Sequence, residues 1–276
     1  MTEMPAIWGS IFAYVVSTIL FIIGVFLSKE RLVRFGVSAA GVGWLIQTVA
    51  IGVRWARVGH APLLGFFEVA LLLSYLAVAG FLILQWRYPG LRIAGIAVMP
   101  LSFLILGSTL LVTPEAQAIT GSLASYWLLI HIAFAQLGFA FYVASFVLAV
   151  AYLLRESKHA DRFRSLLDRL PAQEVLDSLM FRLVGIGFVF QGIMIASGSI
   201  WANEAWGSYW SWDPIETWSL LAWGMYAIYL HLTLTMGWRG KKAAWIVVGA
   251  LAVILFSLLG VPLAYHSIHS GYLFTS

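Results

Sequence analysis

Apolar residues run along this chain in long, nearly unbroken stretches separated by short polar joints. Eight stretches have the length, roughly 20 residues, that a helix needs to cross a hydrocarbon core of ~30 Å. They are about Ala6–Leu27, Phe35–Trp55, Phe66–Trp86, Ile93–Val112, Trp127–Leu154, Met180–Ile200, Thr217–Met236 and Ala244–Tyr265. Backbone N–H and C=O groups in lipid must be satisfied within the segment, so the stretches are read as helices. The pattern predicts an all-α polytopic membrane bundle of about eight transmembrane helices, forming one domain over residues 1–276.

Composition agrees with this reading. Of the 276 residues, 62% are hydrophobic and only 10% charged, and the mean hydropathy is +0.92. A water-soluble domain of this size needs far more polar surface, so the solvent is lipid. The first stretch, Ile7–Leu27, is long enough to span and lacks the basic start and small-residue cleavage site of a signal peptide. There is no cysteine, which excludes disulfide relays, thiolate metal sites and CxxC redox chemistry. Metal-ligating capacity rests on six His, seven Met and a few carboxylates.

Charge fixes an expected orientation. The joints after the first, third, fifth and seventh stretches hold Lys29, Arg31 and Arg34; Arg87 and Arg92; Arg155, Lys158, Arg162, Arg164 and Arg169; and Arg239, Lys241 and Lys242, with Arg182 close by. That is 14 of the 16 Lys and Arg. Arg54 and Arg57 alone lie on the other side. The positive-inside rule then places both termini outside. The outer face receives the segments around His60, Thr113–Tyr126, the tail around His269, and a tryptophan-rich segment. On the inner side, the alternating charges of Arg155–Leu179 predict a short surface helix.

The tryptophan-rich segment, residues 201–218, has five Trp and one Tyr in 18 residues, mixed with small and polar side chains. An interfacial aromatic belt places one or two Trp at a helix end, so this density points to a ledge for a planar apolar ligand. Part of it has a structural account. Asp213, Pro214 and Glu216 read as N-cap, N1 and N3 of the next helix, a capping box.

Histidine is costly in or near lipid unless it is used. His131 lies near the outer end of the fifth stretch, His231 within the seventh, and His269 outside after the eighth, one turn past His266. His60 lies in the outer joint before the third stretch, and His159 in the polar inner joint, where it reads as solvated. Two neutral imidazoles can ligate a haem iron from opposite faces. His131 and His269 flank the aromatic ledge and can clamp a haem lying on it. A core hydrogen-bonding role stays open for each histidine. Arg54 and Arg57 can meet haem propionates or anchor the interface by snorkelling. Pairing of Glu68 with Arg54 would make both structural.

At these residues the chain resembles a known family. Trp206-Gly207-Ser208-Tyr209-Trp210-Ser211-Trp212-Asp213-Pro214-Ile215-Glu216-Thr217-Trp218, then Trp223 and Tyr229-Leu230-His231, resembles the WWD signature of the CcsA/ResC proteins of System II cytochrome c maturation. Gly59-His60-Ala61-Pro62-Leu63 before Phe67-Glu68, and His269-Ser270-Gly271-Tyr272, are similar to two further family motifs. The resemblance implies haem b as cargo, ligated by His131 and His269 over Trp206, Tyr209, Trp210, Trp212 and Trp218, with His60 nearby. His231 matches the family's transmembrane histidine, whose second ligand comes from a partner. It also implies a ResB/CcsB-type membrane partner, an apocytochrome c with a CxxCH segment as acceptor, and a place in the bacterial inner membrane or a thylakoid-like membrane. The chain is then the haem-handling subunit of a cytochrome c synthetase (haem lyase) complex. The competing readings are a CcmC-type haem exporter that hands haem to a separate carrier, and a transporter or quinone-binding subunit without haem.

Overall fold

The computed structural model describes residues 2–114, 123–157, 167–168 and 170–265. Among them, helices α1 (Met4–Phe26), α2 (Glu30–Val58) and α3 (Gly65–Arg87) lead through a 3₁₀ turn, Pro89–Ala94, into α4 (Gly95–Ser108) and a 3₁₀ turn Thr109–Leu111. Then follow α5 (Tyr126–Arg155), α6 (Gln173–Trp206), α7 (Pro214–Thr235) and α8 (Lys241–Leu255), which continues through a π turn, Phe256–Gly260, into α9 (Val261–Ala264). No strand occurs among the described residues. Among the described residues, seven segments are long and apolar enough to cross a membrane: α1, α2, α3, Pro89–Leu111, α5, α6 and Lys241–Gly260. Helix α7 is long enough, but it carries Glu216, three threonines and His231, and it falls outside that set. The surface helix expected within Arg155–Leu179 lies partly outside the described residues; there α6 already begins at Gln173.

Helices α1 and α2 form one closely packed pair, α5 and α6 another, and α3 and α4 lie between them. Helix α5 is the most enclosed, with 61% of its apolar window buried, because α3, α6 and α8 all pack on it. Apolar contact alone does little to select neighbours in lipid, where the surrounding chains are equally apolar. Two glutamines supply direction. Gln47 on α2 accepts from Tyr14 of α1 at 2.6 Å and donates to the Leu71 carbonyl of α3 at 2.9 Å. Gln191 on α6 accepts from Tyr142 of α5 at 2.8 Å and donates to the Ser219 carbonyl of α7 at 3.1 Å. Each glutamine ties three helices.

At the end of the bundle that carries the tryptophan-rich segment, a buried ion network replaces the apolar core. The Arg54 side chain is 1% exposed and bonds Glu68 at 2.8 Å and Glu3 at 3.0 Å. Arg57 meets both oxygens of Glu3, at 2.6 and 3.0 Å. Both arginines donate to the Pro114 carbonyl. The other Glu68 oxygen accepts from the Leu64 backbone N–H at 2.7 Å, closing the start of α3. The network therefore joins the residue before α1, the end of α2, the start of α3 and the chain after α4. It answers the question left open by the sequence: the two arginines pair with carboxylates of this chain.

Burial works against the Glu3 charge, but the hydrogen bonds from Arg57 and Arg54 outweigh it and hold the carboxyl below its usual range. A depressed carboxylate contributes stability above its unfolded value, ~4.3 for Glu, and that stability is lost as pH falls through the lower folded value. Thermal unfolding in detergent should thus show a midpoint that falls below about pH 4.3, and Glu3→Gln should flatten that dependence. Arg54→Leu leaves the buried Glu68 without its cation and Glu3 with Arg57 alone, and should destabilise by about 3–5 kcal/mol. Arg57→Leu, at a side chain 36% exposed, should cost clearly less in the same melt.

Candidate functional site: an aromatic ledge and a half-buried histidine

The sequence places an irregular ledge over residues 201–218, but α6 runs on through Trp206. Nothing between Trp201 and Trp206 breaks a helix. The stop comes at Gly207, whose φ of 78° is the left-handed C-cap that glycine adopts without penalty. Only Gly207–Asp213 is non-helical. Trp201 is 4% exposed and packs with Leu64 of α3 and Leu128 of α5. Trp206 meets it edge-on, with ring centroids 5.1 Å apart at 78°. The first two tryptophans of the segment thus brace α6 against its neighbours.

Beyond Gly207 the rings turn outward. Tyr209 and Trp212 are exposed, and Trp210 stands edge-on to Trp212 at 5.8 Å and 88°. Trp212 has a φ of 59°, a conformation an L residue adopts only when its surroundings impose it. Here the imposing group is Glu216. One of its oxygens accepts from the Ser211 N–H at 2.9 Å, the Ser211 hydroxyl at 3.2 Å and the Asp213 N–H at 3.3 Å. Asp213 in turn accepts from the Ile215 N–H at 3.1 Å, and Thr217 donates to the Trp212 carbonyl at 3.1 Å. The capping box read from the sequence is present, with Pro214 at the helix start. Asp213 and Glu216 thereby fix the loop that presents Trp210 and Trp212. Trp218 lies further along α7, edge-on to Phe256 of the π turn at 4.7 Å.

His131 stands on α5 with its ring against α6, Nδ1 2.8 Å from the Met194 carbonyl oxygen. It forms part of the wall of a largely apolar cavity of about 200 Å³ enclosed by α3, α5, α6, the start of α7 and the π turn. Trp201 and Phe66 line the same cavity near His131, and Gln136, Tyr142, Gln191, Ser219 and Ser257 are its further polar lining residues. Gln136 is 5% exposed; its Nε2 reaches the Val69 carbonyl at 3.4 Å, while its Oε1 is buried without a partner among the described residues. A π turn inside a helix frequently marks a functional site, and Ser257, Leu258 and Leu259 of this one face the cavity.

The other candidates lie elsewhere. His60 has Nδ1 2.9 Å from the Ala61 carbonyl oxygen, and its Nε2 is buried without a hydrogen-bond partner among the described residues. The indole Nε1–H of Trp210 is in the same condition. Buried polar atoms are rarely left so. His231 is exposed near the opposite end of α7, about 26 Å along the helix from Pro214 at 1.5 Å per residue. It shares an outward stripe with Leu221 and Ile228. The structure therefore brings His131 and Trp201 to one cavity and separates His231 from them. His269, with His266 and His159, lies outside the described residues. Sequence reasoning passed over Gln136 and Gln191. Their signal was an amide in the middle of an apolar stretch, which is costly unless it bonds across helices.

Comparison with known proteins now bears on this geometry. Residues 63–269 match the family described as cytochrome C assembly protein. A cytochrome c biogenesis protein CcsA of Chlamydomonas reinhardtii is 36% identical over 236 residues, covering 83% of this chain and 66% of that protein. The CcsA of Guillardia theta is 30% identical and covers 92% of this chain and 91% of the relative. That of Synechococcus sp. (strain RCC307) is 31% identical, covering 90% and 88%. Among solved structures, the cytochrome c heme lyase CcmF shares the fold at a TM-score of 0.72 and 18% identity, over 98% of this chain. The chain spans 48% of that longer one. With a matching family segment that runs from the start of α3 past the aromatic ledge and the cavity, the chain belongs to the cytochrome c assembly family, among its CcsA biogenesis proteins.

Proposed function

We propose that the chain binds haem on the aromatic ledge at the outer membrane–water interface and presents it to apocytochrome c for covalent attachment, together with a ResB/CcsB-type partner. The observation that carries this reading is the His131 ring, held by a backbone carbonyl at the wall of a largely apolar cavity that Trp201 and, from the start of α7, Ile215 also line. His131 and His269 would be the residues that hold the iron. Arg54 and Arg57 are taken up by Glu3 and Glu68, so the propionates fall to neutral donors, for which the Trp210 N–H, without a partner among the described residues, is suited. His60 Nε2 offers a further polar contact. His231 faces away from the bundle on an otherwise apolar stripe, a position suited to a second transmembrane site whose other ligand comes from the partner.

The reaction is an addition. Each CxxCH thiol adds across one haem vinyl group: sulfur bonds to the carbon next to the ring, the thiol hydrogen ends on the terminal carbon, and nothing is released. Such a step needs proximity and orientation more than strong acid–base help. The chain would hold the haem, and the histidine of the incoming CxxCH segment would take the place of one of its two histidines. Having no thiol, this chain leaves reduction of the acceptor cysteines to another protein.

Haem-replete protein should carry a Soret band. His131→Gly and His269→Gly should each abolish cytochrome c maturation in cells and regain it with added imidazole, while His159→Gly should behave as wild type. Normal maturation in both single variants contradicts the two-ligand site. Absence of a Soret band contradicts the haem reading altogether.

A further inference from the structure

We infer that Gly198 and the Met194 carbonyl on α6 form a seat that sets the tautomer and aim of His131, making Gly198 a positioning residue for haem. The inference rests on the ligand role proposed for His131 above. Met194 and Gly198 are four residues apart in one helix, so they lie one above the other on the same face. The His131 ring occupies the space where a side chain at 198 would stand. A Cβ placed on Gly198 would collide with His131 Nδ1 and lie 2.8 Å from its Cε1. No carbon approaches a ring so closely, so either the ring moves or position 198 has no side chain. The backbone at Gly198 is ordinary α-helix, so its conformation does not call for glycine. The ring does.

The seat has a chemical consequence. A carbonyl oxygen only accepts, so the 2.8 Å contact between Nδ1 and Met194 O requires the proton on Nδ1. In the neutral ring the lone pair is then on Nε2, the nitrogen through which this tautomer would ligate a metal. Metal-ligating histidines usually have their other N–H held this way, which fixes both tautomer and ring orientation; loss of such a partner typically costs 10–100-fold in affinity. The single Ser197 O–H lies beside the same seat, 2.7 Å from the Ile193 carbonyl oxygen and 3.2 Å from that of Met194. Histidine, carbonyl and glycine thus act as one unit built from two helices.

The test uses haem-loaded full-length protein and reads ligation, not maturation alone. Gly198→Ala should weaken haem retention about 10–100-fold and convert the ferric absorption spectrum from six-coordinate low-spin toward a five-coordinate form, with added imidazole restoring the low-spin bands. Gly185→Ala, at a glycine of α6 with open space around it, should change neither. The double variant His131→Gly/Gly198→Ala removes the ring that the added methyl strikes, so its thermal midpoint should be no lower than that of His131→Gly alone. A wild-type spectrum and haem occupancy in Gly198→Ala overturn the inference. So does a double variant less stable than His131→Gly by the full cost of Gly198→Ala, because the methyl would then be striking something else. A His131→Gly spectrum identical to wild type is a different failure: it removes the ligand role of His131 itself.

Discussion

A polar group inside hydrocarbon finds its partner within the protein or pays for the absence in full. Water is not there to take the spare bond, and lipid tails compete equally for every apolar contact. That constraint shapes each distinctive feature of this bundle. Gln47 and Gln191 bridge three helices apiece because their amides need acceptors and donors at depth. Arg54 is buried because Glu3 and Glu68 come to it from two other segments. His131 lies against the backbone of α6, where a carbonyl takes its N–H.

The same constraint links stability to the site. The ion network closes the end of the bundle where α3 begins, and α3 forms one wall of the cavity beside His131. The Gln191 bridge fixes α5, α6 and α7 relative to one another, and these three helices present His131, Trp201 and the Trp210–Trp212 loop. Glu216 then holds Trp212 in a conformation it would otherwise leave. A ligand ledge at a membrane surface needs such support, because a ring plane is only useful if the rings beneath it keep their angles.

Much of this is legible in the sequence, and the reasons are specific. Runs of about 20 apolar residues translate almost directly into helices when lipid is the solvent. The capping box at Asp213 and Glu216 is local chemistry, so four residues suffice to read it. The pairing of Glu68 with Arg54 is visible as an option because both are rare charges at the same end. The extent of α6 is easily misjudged, since five tryptophans suggest a loop while the first true breaker is Gly207. The partners of His131 are not visible at all. A backbone carbonyl has no sequence signature, and Gly198 reads as one of many glycines until the ring of a residue 67 positions away is found against it. Counting places His231 at its depth, but its outward direction follows only from how α7 packs on α6 and α8.

In the proposed function this chain gives a haem iron two histidine ligands, one of them His131. Low-temperature electron paramagnetic resonance of the purified, haem-loaded ferric protein reads those ligands directly. A low-spin signal with g values of bis-histidine coordination is expected. A high-spin signal alone, or a low-spin signal unchanged when His131 is replaced by glycine, would contradict it.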